Sequence, residues 1–245
     1  MLHGGGASNH PVWDVSRWGW NAYIAGLARD HRVIAPDMRG HGWTANPDGA
    51  VSYDLLAEDL LGLIRALNLV RPPVIGFSDG GILTTVLAIR EPGAVGALVN
   101  IAGYDLFDPA SPSMAMIRGY LGGSADAVKP DLERIEAAGG PGYDADITAH
   151  DGAQGSGAWR KMYADAFDRW TAPIGYTLGD LDRVSIPTLI LAGDHDAFCR
   201  PEDSVAVFRR IKGSELAIVP NEAHRISPSM VAIALEFLAR RQPAD

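Results

Sequence analysis

Short apolar runs of strand length alternate along the chain with longer segments whose apolar residues recur at helical spacing. That alternation predicts a parallel sheet covered by helices on both faces. Val33-Ile34-Ala35 reads as a strand ending at Pro36-Asp37. Tyr53 to Leu67 reads as a helix with its stripe at Leu56, Leu60, Leu63, Ile64 and Leu67, and Ser52 stands where an N-cap belongs. Pro73 to Phe77 and Val95 to Ala102 are the next strands. The alternation lapses after Gly103 and resumes near Ile186, with a buried strand over Pro187 to Ala192. A helix from about Pro201 to Ile211 follows, with Pro201 in its first turn and Gly213 past its end. Leu216 to Val219 is the last strand. A final helix begins at Ser227-Pro228 and turns Val231, Leu235 and Leu238 inward.

The pattern divides the chain into a first core part (1–103), an insertion (104–183) and a second core part (184–245). The insertion reads as mostly helical but loosely specified, with glycine breaks near Gly122, Gly139 and Gly155. It is rich in large apolar side chains: Met114, Met116, Trp159, Met162, Tyr163, Phe167 and Trp170. Such a stripe is commonly core. Its position directly after the unit described next also suits a lid, in which Trp159 and Tyr163 are candidates for substrate contact.

Val74-Ile75-Gly76-Phe77-Ser78-Asp79-Gly80-Gly81 carries the strongest chemical signal. An apolar strand runs into Gly-x-Ser-x-Gly, and helical spacing begins at once with Ile82, Leu83, Val86 and Leu87. A nucleophile elbow needs that strand and that helix: the turn holds the serine in a strained conformation, hydroxyl outward, near the positive end of the helix.

Serine needs a base, and the base needs a carboxylate to fix its tautomer. Gly193-Asp194-His195-Asp196 and Pro220-Asn221-Glu222-Ala223-His224 follow the two last predicted strands, so both reach the sheet edge that carries Ser78. His224 is the expected base; His3 and His41 sit in glycine-rich turns, and no strand aims His150 or His195 at Ser78. For the acid, Asp196 is favoured over Asp194, whose position suits backbone bonds that hold the loop, and Asp105 is an outside candidate. An oxyanion would need backbone N–H donors. Asp79 and Gly5 are the expected pair, with Gly6 the neighbouring alternative in His3-Gly4-Gly5-Gly6.

The 245-residue chain is long enough for a large core, and its net charge of −9 excludes a basic footprint for nucleic acid or an anionic membrane. Its one cysteine, Cys199, forms no internal disulfide and reads as a small packed side chain. No apolar run approaches the roughly 20 residues of a membrane span. With no secretion signal at Met1-Leu2-His3, the expectation is a cytoplasmic protein.

These marks together, with Asp37-Met38-Arg39-Gly40-His41-Gly42, resemble the α/β-hydrolase superfamily over nearly the whole chain. The resemblance implies a three-layer α/β fold, a mostly parallel central sheet and a helical lid insertion. It also implies Asp196 as the acid and a structural role for the turn from Asp37 to Gly42. Members carry two further strands and a whole third strand ahead of the His-Gly loop, and the third lies between the fourth and fifth. The given chain begins at the loop. A gap is therefore expected in mid-sheet, with unpaired groups costing about 1–3 kcal/mol each, and the natural protein is expected to be longer. Ser-Asp-Gly-Gly is similar to the elbow of amino-acid ester hydrolases, which would let Asp79 pair with a substrate ammonium; the plainer reading is a carboxylate favouring the helix dipole.

The resulting expectation is a serine hydrolase acting through an acyl-enzyme on a small to medium ester, lactone or related acyl substrate. No metal, nucleotide or flavin is implied. The same frame resembles carbon–carbon bond hydrolases, enol-lactonases and cofactor-free haloperoxidase-like perhydrolases. A hydrolase-like receptor, or an inactive truncated product, is the alternative from outside enzymology.

Overall fold

The computed structural model describes residues 1–9, 19–47, 49, 51–103, 111–138 and 141–241, with 141–146 described by backbone only. Four strands, β1 (Val74–Phe77), β2 (Leu98–Ile101), β3 (Thr188–Gly193) and β4 (Glu215–Val219), form one sheet in the order β1-β2-β3-β4. Every pair is parallel, with Val74 opposite Leu98, Leu98 opposite Thr188 and Leu189 opposite Glu215. All residues of β1, β2 and β3 are buried. That is why these strands read as continuous apolar runs rather than alternating ones.

The helices are α1 (Asn21–Leu27), α2 (Tyr53–Ala66), α3 (Asp79–Arg90), α4 (Pro112–Gly122), α5 (Leu132–Ala138), α6 (Pro141–Gln154), α7 (Ala158–Thr171), α8 (Pro201–Arg210) and α9 (Pro228–Ala239). A 3₁₀ turn covers Leu178–Arg183. Ser52 caps α2, its Oγ accepting from Leu55 N–H at 3.2 Å. Ser227 caps α9 through Met230 N–H at 3.3 Å. Helix α3 lies in the middle of the molecule, buried from Asp79 to Ile89. Phe77, Leu83, Leu87, Leu98, Ile101 and Phe237 are among the largest fully buried side chains. Each such side chain is worth about 1.5–3 kcal/mol of transfer free energy. The helices α4 to α7 fill the interval between β2 and β3, and α4 and α6 both pack on α7.

Two expectations change. Val33-Ile34-Ala35 forms no ladder in the described backbone. A strand needs a neighbour along its length, and here Leu2 alone bridges to β1, opposite Gly76. Leu2 N–H donates to Ile75 O at 2.8 Å, and Leu2 O accepts from Phe77 N–H at 3.1 Å. An apolar cavity of about 1040 Å³ is lined by Val33, Ile34, Val74 and Ile75. It is also lined by Leu60, Leu63, Leu235 and Leu238, so the predicted stripes of α2 and α9 are partly turned toward it. The buried positions are Tyr53, Leu56, Ala57, Leu61 and Ile64 in α2, and Met230, Val231, Ala234 and Phe237 in α9, so Leu56, Ile64 and Val231 lie inward as expected. Finally, Gly139 and Asp105 lie outside the described residues. Among the described residues no helix is long and apolar enough to cross a membrane.

Candidate active site

Ser78 follows β1 and stands at the N-cap of α3 with φ +52° and ψ −115°. For a residue with a side chain this conformation is strained by on the order of 1–3 kcal/mol. The surroundings impose it: Ser78 N–H donates to Ile101 O at 2.8 Å and Gly80 N–H to His3 O at 3.1 Å. A Cβ on Gly76 would stand 2.1 Å from Gly80 O, so strand and helix pass too closely for any side chain there.

Loops after β3 and β4 bring Asp196 and His224 to the same edge. Both Asp196 oxygens face His224 Nδ1, at 2.8 and 3.0 Å, and His224 Nε2 lies 2.9 Å from Ser78 Oγ. A carboxylate only accepts, so Nδ1 carries the ring proton and Nε2 accepts from the Ser78 hydroxyl. Asp196 is held in turn by Phe198 N–H at 2.9 Å and Cys199 N–H at 2.7 Å. Asp194 points the other way and accepts from Glu222 N–H at 3.3 Å, tying the two loops together. His195 is exposed beside Asp194, and His150 is buried against His41. Cys199 is buried with its Sγ 3.4 Å from Ser204 Oγ, a packing position.

The glycine loop lies across the elbow. Ala7 N–H donates to Gly4 O at 3.3 Å, closing a turn with Gly5 and Gly6 at its centre. His3 anchors that turn. Its Nε2 accepts from Met38 N–H at 2.9 Å, which leaves Nδ1–H to donate to Gly4 O at 2.7 Å. Burial drives the His3 and His41 imidazoles below the usual histidine range, His41 well below, so both rings favour the neutral form. Asp37 accepts from Ser8 Oγ, Asn9 N–H and Trp43 N–H, a structural role for its turn. A Cβ on Gly5 would fall 1.8 Å from the Trp170 ring.

The Asp79 carboxylate, the candidate for pairing with a substrate ammonium, is fully buried and already bonded within the protein. Its Oδ2 accepts from Arg169 Nη2 at 2.6 Å and its Oδ1 from Tyr53 OH at 2.5 Å. Burial alone would raise this carboxyl; the Arg169 charge and the bonds from Arg169 and Tyr53 outweigh it and hold the group below the usual carboxylate range. Trp159 and Tyr163 are buried in the core, edge to face with centroids 6.1 Å apart. Trp170 of α7 meets the glycine loop at Gly5.

Arg169, Trp170, Tyr53 and Phe198 were not singled out as site residues by sequence reasoning. Arg169 carried a usable sign: Met162, Ala166 and Arg169 share one face of α7 at spacings of four and three, so a cation stands on the apolar stripe.

Comparison with known proteins follows this geometry. The chain is 27% identical over 260 residues to a 2-hydroxy-6-oxo-2,4-heptadienoate hydrolase of Pseudomonas putida, spanning 98% of this chain and 88% of that protein. It is 29% identical over 253 residues to a 2-hydroxy-6-oxo-6-(2'-aminophenyl)hexa-2,4-dienoic acid hydrolase of Metapseudomonas resinovorans, spanning 98% and 83%. The fold matches a hydrolase from Pseudomonas aeruginosa with a TM-score of 0.71 at 21% identity, over 99% of this chain and 89% of that one. The alpha/beta hydrolase family matches residues 1–234, and the chain belongs to that family.

Proposed function

We propose that the protein is a serine hydrolase that works through an acyl-enzyme on a small to medium carboxylic ester, lactone or related acyl substrate. The observation that carries this reading is the continuous hydrogen-bonded line from Ser78 Oγ through His224 to Asp196, at 2.9 and 2.8 Å. Ser78 Oγ attacks the substrate carbonyl carbon while His224 Nε2 takes its proton, and Asp196 stabilises the imidazolium. The carbonyl oxygen becomes an oxyanion facing the backbone N–H of Asp79 and that of Gly5, with Gly6 adjacent. Asp79 is the first residue of α3, so its N–H has no acceptor within the helix. Collapse expels the leaving group, which takes the proton from His224. Water then gives a proton to the same nitrogen as its oxygen bonds the acyl carbon, and collapse breaks the Ser78 ester, returns that proton to Ser78 Oγ and releases the acid. The helices α4 to α7 act as a lid over this chemistry, and Trp170 forms the wall above Gly5.

A second reading, a carbon–carbon bond hydrolase using the same three residues, is favoured by the similarity to two dienoate hydrolases over 98% of the chain. There the leaving group is a carbanion that must be protonated on carbon. The experiment is a panel of 4-nitrophenyl esters of rising chain length, lactones and a 2-hydroxy-6-oxo-dienoate, run with wild type and Ser78→Ala. Ser78-dependent turnover of esters or lactones above the dienoate supports the first reading. Dominant dienoate cleavage transfers the assignment to the second, and no Ser78-dependent turnover of any member defeats both.

A further inference from the structure

The last turn of α7 holds both sides of the proposed oxyanion site. Arg169 reaches the carboxylate of Asp79, the residue after the nucleophile, across 90 positions of sequence. One residue on, Trp170 covers Gly5 on the facing loop. The ion pair is sealed, with side-chain exposures of 1% for Arg169 and 0% for Asp79. Tyr53 brings in α2, donating to the other Asp79 oxygen, and the Arg169 guanidinium lies 5.9 Å from the Tyr53 ring centre and 5.8 Å from that of Trp170. Three helices therefore meet on one carboxylate that is covalently next to Ser78.

From this geometry we infer that Arg169 is a positioning residue for the oxyanion site, acting through the Asp79 carboxylate on the Asp79 backbone N–H. The inference rests on the proposed serine chemistry. A helix first turn is free to tilt by tenths of an ångström unless its side chains are tied. Donors worth the most are those already aimed before charge develops. The bidentate reach of Asp79, one oxygen to Arg169 and one to Tyr53, fixes that turn in two directions. Because the same α7 turn carries Trp170, displacement of α7 would disturb both donors together. Arg169 meets the elbow through its Nη2 on Asp79 Oδ2, which makes it a support of that turn.

The test uses the full chain and 4-nitrophenyl acetate, with kcat and KM per folded molecule, melting temperature, and the rate of fluorophosphonate labelling. Arg169→Gln is expected to lower kcat and the labelling rate by roughly tenfold or more, with KM within about threefold. The double variant Asp79→Asn with Arg169→Gln restores a neutral hydrogen-bonded pair. It is expected to recover at least about fivefold in kcat over Arg169→Gln alone. If Arg169→Gln does not fold, Arg169→Lys keeps the charge without the planar fork and is expected to lower kcat about fivefold. Variants that melt lower but keep kcat and labelling within about twofold of wild type would show a merely structural pair and overturn the inference. So would a double variant no faster than Arg169→Gln. Ser78→Ala separates the two levels: activity surviving in it sinks the serine reading itself, whereas loss there beside an unaffected Arg169→Gln sinks only this inference.

Discussion

The rings of Phe198 and His224 stand 4.9 Å apart, and Phe77 lies at the same distance from that imidazole, so the histidine is held between two phenyl groups. Phe198 comes from the loop that also supplies Asp196, and its own N–H bonds that carboxylate. One short loop thus sets the acid and shields the base. Shielding strengthens the Asp196–His224 bond by keeping water from it. Phe198→Ala is expected to lower kcat by about tenfold, since misplacing a base by a fraction of an ångström has costs of this order. Its melting temperature should change little, because the side chain is only half-buried. Steady-state kinetics beside a thermal melt checks both parts.

Gly5→Ala should be the most damaging single methyl group in the glycine loop. Its Cβ would lie 1.8 Å from Trp170, so the loop or the indole must move. A loss of about 10²–10³ in kcat is expected, the usual cost of one oxyanion donor. Adding Trp170→Ala should return a measurable part of it. No recovery in the double variant would mean that the loop, not the indole, bears the strain.

Asp196→Asn is expected to lower kcat by about 10⁴, because an amide in place of the acceptor favours the wrong imidazole tautomer. Asp194→Asn should cost far less, since Asp194 serves a backbone N–H of the neighbouring loop. Comparable losses in the two variants would contradict the distinction between them.

Much of this arrangement was legible because it is written locally. Ser78 is announced by its own strand and helix, and Asp196 and His224 by the ends of β3 and β4. Backbone hydrogen bonding then explains why Asp194 and Asp196 differ, as spacing had suggested. What sequence could not give was the partner of Asp79, since a buried ion pair joining positions 79 and 169 leaves no short-range pattern. The first turn of α3 read first as a dipole-stabilised carboxylate, with a ligand site as the alternative. Val33 to Ala35 has strand composition but pairs in no ladder in the described structure, where the Met1 amino group donates to Ile34 O at 2.7 Å, and β propensity expresses packing context more than backbone preference. The stripes of α2 and α9 shifted for a related reason, since Leu60, Leu63, Leu235 and Leu238 line a cavity and are not fully enclosed, although Leu60, Leu235 and Leu238 also pack against the core.

Acid should weaken the fold from near pH 6.5 downward. His3 and His41 are driven by burial below the ordinary histidine value of 6.5, so the unfolded chain binds their protons first as pH falls. Their stabilising contribution is complete above that value and declines below it, by about 1.4 kcal/mol per pH unit for each proton taken up. Urea melts between pH 8 and 5 should show this slope, and His41→Gln should reduce it by one proton. A stability independent of pH over that range would contradict the neutral buried state.

The most direct test of the whole account is turnover of 4-nitrophenyl acetate by Ser78→Ala, with the mass of the wild-type protein recorded during the reaction. The account predicts that the variant loses activity by roughly 10⁶-fold in kcat and that wild type transiently gains one acetyl group on the peptide containing Ser78. Turnover by Ser78→Ala at the wild-type rate, or an acetyl group found only elsewhere, would contradict it.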